Sequence, residues 1–425
     1  MGGGLMQLVA YGAQDIYLTG NPQITFFKVV YRRHTNFSME AIQQTFSGTA
    51  DFGADVTATI SRNGDLVHRM YLEHDAAFVA IQADDTLAIS CDYGSHVMKE
   101  CELEIGGQRI DKHYGHWHSV YSQLTKFNPS GSQTTLFNRM SGNGTGFSTE
   151  DTSDGLNPNG FTSLDAGDST EDTASAKLFI PLYFWFCRNP GLALPLIALQ
   201  YHEVKVKITF EDLGNLIVQD SSNDFGGATE TKGVTANVTS KDFQLWADYI
   251  YLDTDERRRF AQVSHEYLIE QLQFVNEGTG GTIDLNFNHP VKELIWSGVR
   301  GTVFEGIDAN VLYDRNTVFN AAITETAQLK LNGHDRFKER DLRYFTRTQV
   351  WESHTGYGCT QVGDTIAVYS FALKPEEHQP SGTCNFSRID NAQLVQSVAQ
   401  PVNIYAVNYN VLRIMSGMGG LAYSN

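Results

Sequence analysis

Three histidines, His113, His116 and His118, form the densest group of potential metal ligands in the sequence. Structural zinc is held by four nitrogen, sulfur or oxygen ligands, and on a strand His116 and His118 would share one face. No cysteine or carboxylate joins the three at ligand spacing, and aromatic residues alternate with them. We therefore predict half-buried strand histidines, with no bound metal and no cofactor.

The sequence contains no readable catalytic motif either. The segment HEYLIE (His265–Glu270) lacks the HExxH spacing of a zinc protease, and no serine lies in a GxSxG nucleophile elbow. The glycines from Gly142 to Gly146 lack the flanking strand and helix of a phosphate-binding loop. Asp253 and Asp255 could serve as the carboxylate pair of a glycosidase, but a role in capping a helix explains them better. We predict that the protein is not an enzyme.

Asparagine-linked glycosylation requires an accessible Asn-x-Ser/Thr sequon. Sequons occur at Asn36, Asn143, Asn237 and Asn385. Asn143 and Asn237 lie in polar segments, so these two are the candidate glycosylation sites. The N-terminus has neither the basic region nor the apolar run of a secretory signal, so modification by the secretory route is not expected.

Composition narrows the class of protein further. The 425 residues suffice for two or three domains, and 25 Phe, 19 Tyr and 5 Trp require a buried core, which excludes a disordered chain. A net charge of −18 repels phosphates, so direct nucleic-acid binding is not expected. The five cysteines are scattered without a CxxC pair, which predicts neither disulfides nor a zinc knuckle, and favours a reducing compartment.

The elements that must position these residues are mostly strands. Short runs rich in Val, Ile, Thr, Tyr and Phe, separated by Gly, Asn and Asp, are typical of an all-β sandwich or barrel. The clearest helix begins at Asp253, with acidic residues in its first turn and arginines after them. The predicted strands are Val97–Ile105, Val204–Phe210, Phe243–Leu252, Glu266–Phe274, Thr282–Phe287 and Ile366–Leu373.

The stretch Leu178–Leu199 has the length and apolar character of a membrane span, with Arg188 as its only charge. Its three prolines would interrupt a helix, and Asn189–Gly191 is a turn signal. We predict two buried β segments joined by that turn, and no transmembrane segment.

Two polar stretches, 128–176 and 219–238, are built mainly from Gly, Ser, Thr, Asn and Asp. Such a composition cannot form a core, so both are predicted to be exposed loops carried by a rigid scaffold. We expect residues 128–176 to project outward and to contribute little to folding.

An internal repeat relates the two halves of the chain. Three landmarks recur in order at an offset of about 226 residues, and a fourth recurs at a shorter offset. The pairs are Glu40–Phe46 with Glu266–Leu272, Asn63–Val67 with Asn288–Lys292, Leu103–Gly107 with Leu329–Gly333, and Leu245–Leu252 with Ile404–Leu412. Loss of the 128–176 insertion from the second copy would explain the shorter offset. The repeat predicts a duplicated β domain.

Several phrases closely resemble one protein family, the major capsid protein of large icosahedral double-stranded DNA viruses of algae and protists. They include AYGAQDIYLTGNPQITFFKVVYRR (Ala10–Arg33), ELEIGGQRIDKHY (Glu102–Tyr114), PGLALPLIALQYHEVK (Pro190–Lys205), DYIYLDTDERRRFAQ (Asp248–Gln262) and NYNVLRIMSGMGGLAY (Asn408–Tyr423). The resemblance covers essentially the whole chain. The sequence departs from the family mainly in the loops 128–176, 219–238 and roughly 299–326.

The resemblance implies an all-β fold of two consecutive eight-stranded antiparallel jelly rolls, with long outward loops and few short helices. The implied domains are an N-terminal arm (1–24), a first jelly roll (25–253) that carries the 128–176 insertion, and a second jelly roll (260–425). The repeat, read from the residues alone, favours the same duplication.

The resemblance also implies a structural function, in which homotrimers form pseudo-hexagonal capsomers that tile an icosahedral shell. The implied location is the capsid of the virion, assembled in the host cytoplasm. The implied partners are other copies of the chain, minor capsid proteins and a penton protein, with an internal membrane nearby and no direct contact with nucleic acid. The alternative function is a carbohydrate-binding jelly-roll protein, for which a glycan-binding monomer would be expected.

Overall fold

The computed structural model divides into two compact units, Met1–Phe37 and Ser38–Asn425. The described residues are 3–10, 12–80, 86–126, 136–144, 147–148, 155–156, 159–164, 171–220, 237–277, 281–298, 325–356, 358, 366–397 and 402–423. Most of the predicted loop at 219–238, and Cys359, lie outside the described residues.

The unit Met1–Phe37 contains two short helices, α1 (Gly3–Val9) and α2 (Ile16–Thr19), followed by irregular chain. Its apolar side chains are exposed, and Phe27 is 98% exposed. The N-terminal arm predicted at residues 1–24 lies within this unit.

The first half of Ser38–Asn425 is a sandwich of two sheets. Its eight strands are β1 (Phe37–Gln44), β2 (Asp55–Thr59), β3 (Leu66–Val79), β4 (Met98–Ile105), β5 (Gln108–Tyr114), β6 (Thr173–Pro181), β7 (Val204–Phe210) and β8 (Asn237–Leu252). The sheet orders are β1-β8-β3-β6 and β2-β7-β4-β5. On β7, every second side chain faces the core, as the alternating sequence VKVKITF predicts.

The second half is a sandwich of the same kind. Its eight strands are β9 (His265–Glu277), β10 (Gly281–Asp284), β11 (Pro290–Gly298), β12 (Thr326–Leu331), β13 (His334–Asp335), β14 (Ile366–Ser370), β15 (Ala392–Gln396) and β16 (Val402–Met415). The sheet orders are β9-β16-β11-β14 and β10-β15-β12-β13. Numbered within each half, the strands lie in the orders 1-8-3-6 and 2-7-4-5 in both, so the predicted double jelly roll is confirmed.

The landmarks of the internal repeat lie at equivalent places in the two rolls. The hairpin of β4 and β5 turns through Gly106 and Gly107, and that of β12 and β13 turns through Asn332 and Gly333. All four residues have positive φ, between 50° and 84°. Two-residue hairpin loops need this backbone conformation, which Gly and Asn adopt at low cost, so the turn chemistry is visible in the sequence.

Short elements complete the described chain. The remaining helices are α3 (Tyr93–His96), α4 (Gly115–Thr125), α5 (Leu136–Ser141), α6 (Trp185–Arg188), α7 (Thr254–Gln262) and α8 (Gln349–Ser353). Further short strands are Phe46–Ser47, Thr86–Ile89, Phe147–Ser148, Gly155–Leu156, Thr162–Leu164, Leu194–Pro195, Ile217–Asp220, Arg340–Asp341, Cys384–Asn385 and Met418–Leu421. All six strands predicted from the sequence overlap observed strands, and α7 begins after Asp253 as predicted.

The prediction that residues 128–176 form only an exposed loop is wrong. Phe161 is fully buried in the core of the first jelly roll, and Asn143 and Asn159 are buried as well. The end of the segment is the beginning of β6, whose Ala174 and Ala176 also belong to that core. A polar composition did not prevent burial, because one aromatic anchor and hydrogen-bonded polar groups are sufficient to attach the segment to the sandwich.

The apolar stretch Leu178–Leu199 is only partly as predicted. Its first part belongs to β6, but the second part contains helix α6 and a strand of two residues, Leu194–Pro195, that pairs with Leu66 and Val67. No helix among the described residues is long and apolar enough to cross a membrane.

Candidate functional site at the interface between the jelly rolls

The two jelly rolls meet along an interface in which helix α4 of the first roll is central. Its side chains Trp117, Val120 and Leu124 pack on the sheet β9-β16-β11-β14 of the second roll, on the face opposite that roll's own core. The Trp117 ring lies 5.1 Å from the ring of Tyr405 on β16. The backbone also contributes to this interface, because the N–H of Gly356 in the second roll donates to the carbonyl of Leu124 on α4 at 2.7 Å.

Strand β16 is buried on both faces because of this contact. Ile404 and Ala406 face the core of the second roll, whereas Tyr405 and Val407 face α4. Burial is therefore continuous over the first nine residues of the strand. A strand covered on both faces requires a run of residues that can be buried, rather than an alternating pattern.

The core of the first roll also includes residues of the second. Ile269 on β9, and Leu412 and Ile414 near the end of β16, belong to the first roll's apolar cluster. The backbone N–H of Tyr201 donates to the Gly417 carbonyl at 2.9 Å. Separating the rolls would expose these side chains at a cost of roughly 1.5–3 kcal/mol each, so the interface fixes the relative position of the rolls.

A buried ionic group lies within the interface, centred on Glu270 of β9. Its Oε2 lies 2.5 Å from Nη1 of Arg188 on α6, and 2.8 Å from Nζ of Lys292 on β11. Burial alone would raise the pKa of Glu270. The positive charges of Lys292 and Arg188 outweigh burial and hold this pKa far below its usual range. Lys292 also donates to the Pro375 carbonyl at 2.6 Å, and the Arg188 guanidinium lies 4.8 Å from the centre of the Tyr121 ring. Every charge in the group therefore has a partner.

A second buried group surrounds His354, which follows α8. Its Nε2 lies 3.1 Å from Glu293 of β11, and its Nδ1 lies 3.0 Å from Glu376. Burial disfavours the charged imidazole, but the carboxylates of Glu293 and Glu376 outweigh burial and raise the pKa of His354 to about 9. The imidazolium therefore pairs with both carboxylates and offsets part of their negative charge.

This arrangement predicts a defined pH dependence of stability. The pKa of His354 is higher in the folded chain, at about 9, than the ordinary value of 6.5. Its contribution is therefore complete below about pH 6.5 and is lost as the pH rises through 9. We expect His354→Gln to lower the free energy of unfolding by on the order of 3 kcal/mol at pH 6, and much less at pH 10, as measured by chemical denaturation at both pH values.

The matched control for that experiment is His334→Gln, because His334 is exposed in the β12–β13 hairpin. We expect this variant to match the wild type at both pH values. An equal loss of stability for His354→Gln at pH 6 and pH 10 would contradict the assigned role of the imidazolium.

The predicted histidine group is placed differently from the expectation. His113 lies on β5, with Nε2 2.9 Å from Asp111. His116 and His118 lie on α4, so the prediction of a strand here is wrong. Residues two apart on a helix point to different sides: His116 Nδ1 shares a 2.8 Å hydrogen bond with the Tyr405 hydroxyl, while His118 is buried inside the first roll. Burial and nearby His113 hold the pKa of His118 well below its usual range.

Among the described residues, no group of three or more His, Cys, Asp or Glu side chains is arranged to hold a metal. Of the three histidines, His116 contacts the second roll through the Tyr405 hydroxyl. Among the described cysteines, Cys101, Cys187 and Cys384 are free thiols.

The two candidate glycosylation sites differ in accessibility. Asn143 is buried, and its Oδ1 accepts hydrogen bonds from the Ser95 backbone N–H at 3.0 Å and from the Ser95 hydroxyl at 2.9 Å. These contacts argue against a glycan on Asn143 in the folded chain. Asn237 is exposed at the start of β8, and its modification stays a prediction.

Sequence reasoning missed the ionic group, although one signal could have found it. Arg188 is the only charge in the apolar stretch Leu178–Leu199, and a charge within such a run is buried only when a partner neutralises it. The partner, Glu270, lies 82 residues away along the chain. Nothing local in HEYLIE shows that its last carboxylate is buried.

Comparison with known proteins decides the family. Residues 25–253 match the family described as "Major capsid protein N-terminus", and residues 256–420 match "Large eukaryotic DNA virus major capsid protein". The chain belongs to this family of viral major capsid proteins. It is 50% identical to the major capsid protein of Pyramimonas orientalis virus and 44% identical to that of Phaeocystis pouchetii virus, with all of each chain covered.

A solved member of the family has the same fold. The crystal structure of PBCV-1 VP54 superimposes with a TM-score of 0.73 at 37% identity, covering 94% of this chain and 100% of that chain. The family predicted from the sequence phrases is confirmed, and the conserved architecture includes both jelly rolls.

Proposed function

We propose that the chain is the shell-forming subunit of an icosahedral capsid and that it assembles as a homotrimer with six jelly rolls in a pseudo-hexagonal ring. One observation carries the proposal: two sandwiches of identical strand order are joined into one block by a buried interface. Three copies of a block with two equivalent halves give six similar units around one axis. Repeated head-to-tail contacts close into such a ring when the rotation between copies permits it.

The domain limits belong to the same proposal. The proposed limits are 25–253 for the first roll and 260–425 for the second. Strand pairing supports the boundary between them, since β8 ends at Leu252 and pairs with β3, whereas β9 begins at His265 and pairs with β16. Helix α7 lies between these strands. The N-terminal arm (1–24) would remain available for other contacts.

We further propose partners and location. The exposed apolar side chains of Met1–Phe37 suit contacts with minor capsid proteins, a penton protein or an internal membrane surface, because exposed apolar surface favours association. The net charge of −18 disfavours direct contact with the genome. Assembly is proposed to occur in the host cytoplasm, without enzymatic activity. The carbohydrate-binding alternative has no support among the relatives named above.

The test is the mass and shape of the purified full-length chain. We expect size-exclusion chromatography with light scattering to give three times the chain mass, and negative-stain electron microscopy to show particles with a hexagonal outline. A monomer that binds glycans on an array would contradict the proposal and favour the carbohydrate-binding alternative.

A further inference from the structure

The interface between the two rolls within one chain has a defined geometry. The helix between the fifth and sixth strands of the first roll, α4, covers a set of three residues on adjacent strands of the second roll: Tyr405, Ile295 and Val368. In the sheet register, Tyr405 pairs with Ile295, and Ile295 pairs with Val368. We call these three residues the α4-binding face.

The first roll carries an equivalent set at the same register. Trp246 on β8 pairs with Tyr71 on β3, which in turn pairs with Pro181 on β6. The repeat aligns Leu245 with Ile404, so Trp246 of the first roll is equivalent to Tyr405 of the second. Both Leu245 and Ile404 face the core of their own roll, so Trp246 and Tyr405 share the same outward orientation.

This equivalent surface is aromatic and partly open. The rings of Tyr71 and Trp246 are parallel within 6° with centroids 6.4 Å apart, and Phe179 lies 6.2 Å from Tyr71. Phe179 is 36% exposed. Within the described residues, no acceptor reaches the buried Trp246 Nε1–H. We call Tyr71, Phe179 and Trp246 the aromatic face.

The second roll has the helix that matches α4. Helix α8 also lies between the fifth and sixth strands of its roll, after a π-helical turn at Tyr344–Thr348. Val350 on α8 packs inward, whereas its neighbour Trp351 is 82% exposed. An exposed tryptophan carries a large apolar area that is stabilised by burial.

We propose that α8 of one copy, with Trp351 as its anchor, docks on the aromatic face of a second copy. This contact repeats between chains the packing that α4 and Trp117 make on Tyr405 within one chain. A helix on one side and a receptive face on the other form a head-to-tail interface, which closes into a ring when the rotation permits. The proposal rests on the homotrimer proposed above, and names the residues that hold it together.

The energetic expectation follows from the residue types. Tryptophan and tyrosine dominate the affinity of protein interfaces when they are buried at the centre of a well-packed contact. Trp351→Arg replaces the anchor with a charge that would be desolvated, and we expect a loss of about thirtyfold or more in trimer affinity. Because Trp351 is exposed in the single chain, the variant should fold normally.

The test compares full-length variants by light scattering across a dilution series. Trp351→Arg alters the helix, Phe179→Arg alters the aromatic face, and each should remain monomeric at concentrations where the wild type is trimeric. Mixing the two variants should produce dimers, because the intact helix of the Phe179→Arg copy meets the intact face of the Trp351→Arg copy. Val263→Arg, at the exposed end of α7, is the control and should stay trimeric.

Circular dichroism is used to check that each variant is folded. If the charge of Phe179→Arg prevents folding, Phe179→Ser takes its place. A trimeric wild type together with trimeric Trp351→Arg, or a mixture that forms no dimers, would overturn this interface while leaving the proposed function intact. A wild type that is monomeric throughout the series would overturn the homotrimer itself, and this proposal with it.

Discussion

Glu270→Ala should lower the free energy of unfolding by about 3–5 kcal/mol, as measured by chemical denaturation at neutral pH. The carboxylate is 5% exposed and pairs with both Lys292, which is 3% exposed, and Arg188. Removing one partner of a buried ion pair leaves the other charge in a medium that solvates it poorly, which costs far more than the pair itself contributes. Lys292 would be left with a carbonyl as its hydrogen-bond partner, and a carbonyl cannot replace the lost negative charge.

The matched control is Glu377→Ala. Glu377 pairs with Lys374 at 2.8 Å, but both side chains are more than half exposed. Exposed pairs typically contribute about 0–1 kcal/mol, so this variant should be close to the wild type. If the two variants lost similar amounts of unfolding free energy, solvent would have to reach the Glu270 carboxylate, which contradicts its assignment as a buried ionic group.

The residues alone predict strands and a duplicated β domain because these signals are local, whereas the double jelly roll is what the family resemblance implies. Asn332 and Gly333 occupy a hairpin loop that needs positive φ, and VKVKITF alternates with the period of a half-buried strand. Features of this kind depend on neighbouring residues only. They therefore identify the strands, the duplication and the family phrases without any knowledge of tertiary contacts.

The interface between the rolls could not be predicted in the same way. Trp117 meets Tyr405, and Arg188 meets Glu270, across long separations that no local pattern encodes. His116 shows the consequence, because interpreting it as a strand residue missed the helix on which it contacts Tyr405. Burial from both sides also conceals the strand period of β16.

The burial of part of the polar insertion 128–176 also depends on tertiary contacts that its composition does not reveal. We expect Phe161→Ala to lower the free energy of unfolding by about 3–5 kcal/mol, because it removes a fully buried aromatic side chain from a packed core. The Phe161 ring lies edge-on to Tyr93, with centroids 5.2 Å apart. Tyr93 in turn shares a 3.0 Å hydrogen bond with His74, so the cavity would adjoin a buried polar pair.

Deleting residues 141–172 should be at least as harmful, contrary to the expectation drawn from composition. The deletion removes Phe161 and also Asn143, whose Oδ1 accepts both hydrogen bonds from Ser95. The entropy of closing a shorter loop changes only slowly with length and cannot offset these losses. Thermal and chemical denaturation should therefore show a destabilised first roll rather than a chain with wild-type stability.

The control within the insertion is Thr162→Ala, since Thr162 adjoins Phe161 but is exposed. Surface substitutions of this kind usually change stability by less than about 0.5 kcal/mol. If Thr162→Ala and Phe161→Ala behaved alike, or if the deletion variant unfolded at the wild-type midpoint, the insertion would be peripheral to the core. We expect the opposite, because one buried aromatic ring attaches this polar segment to the sandwich.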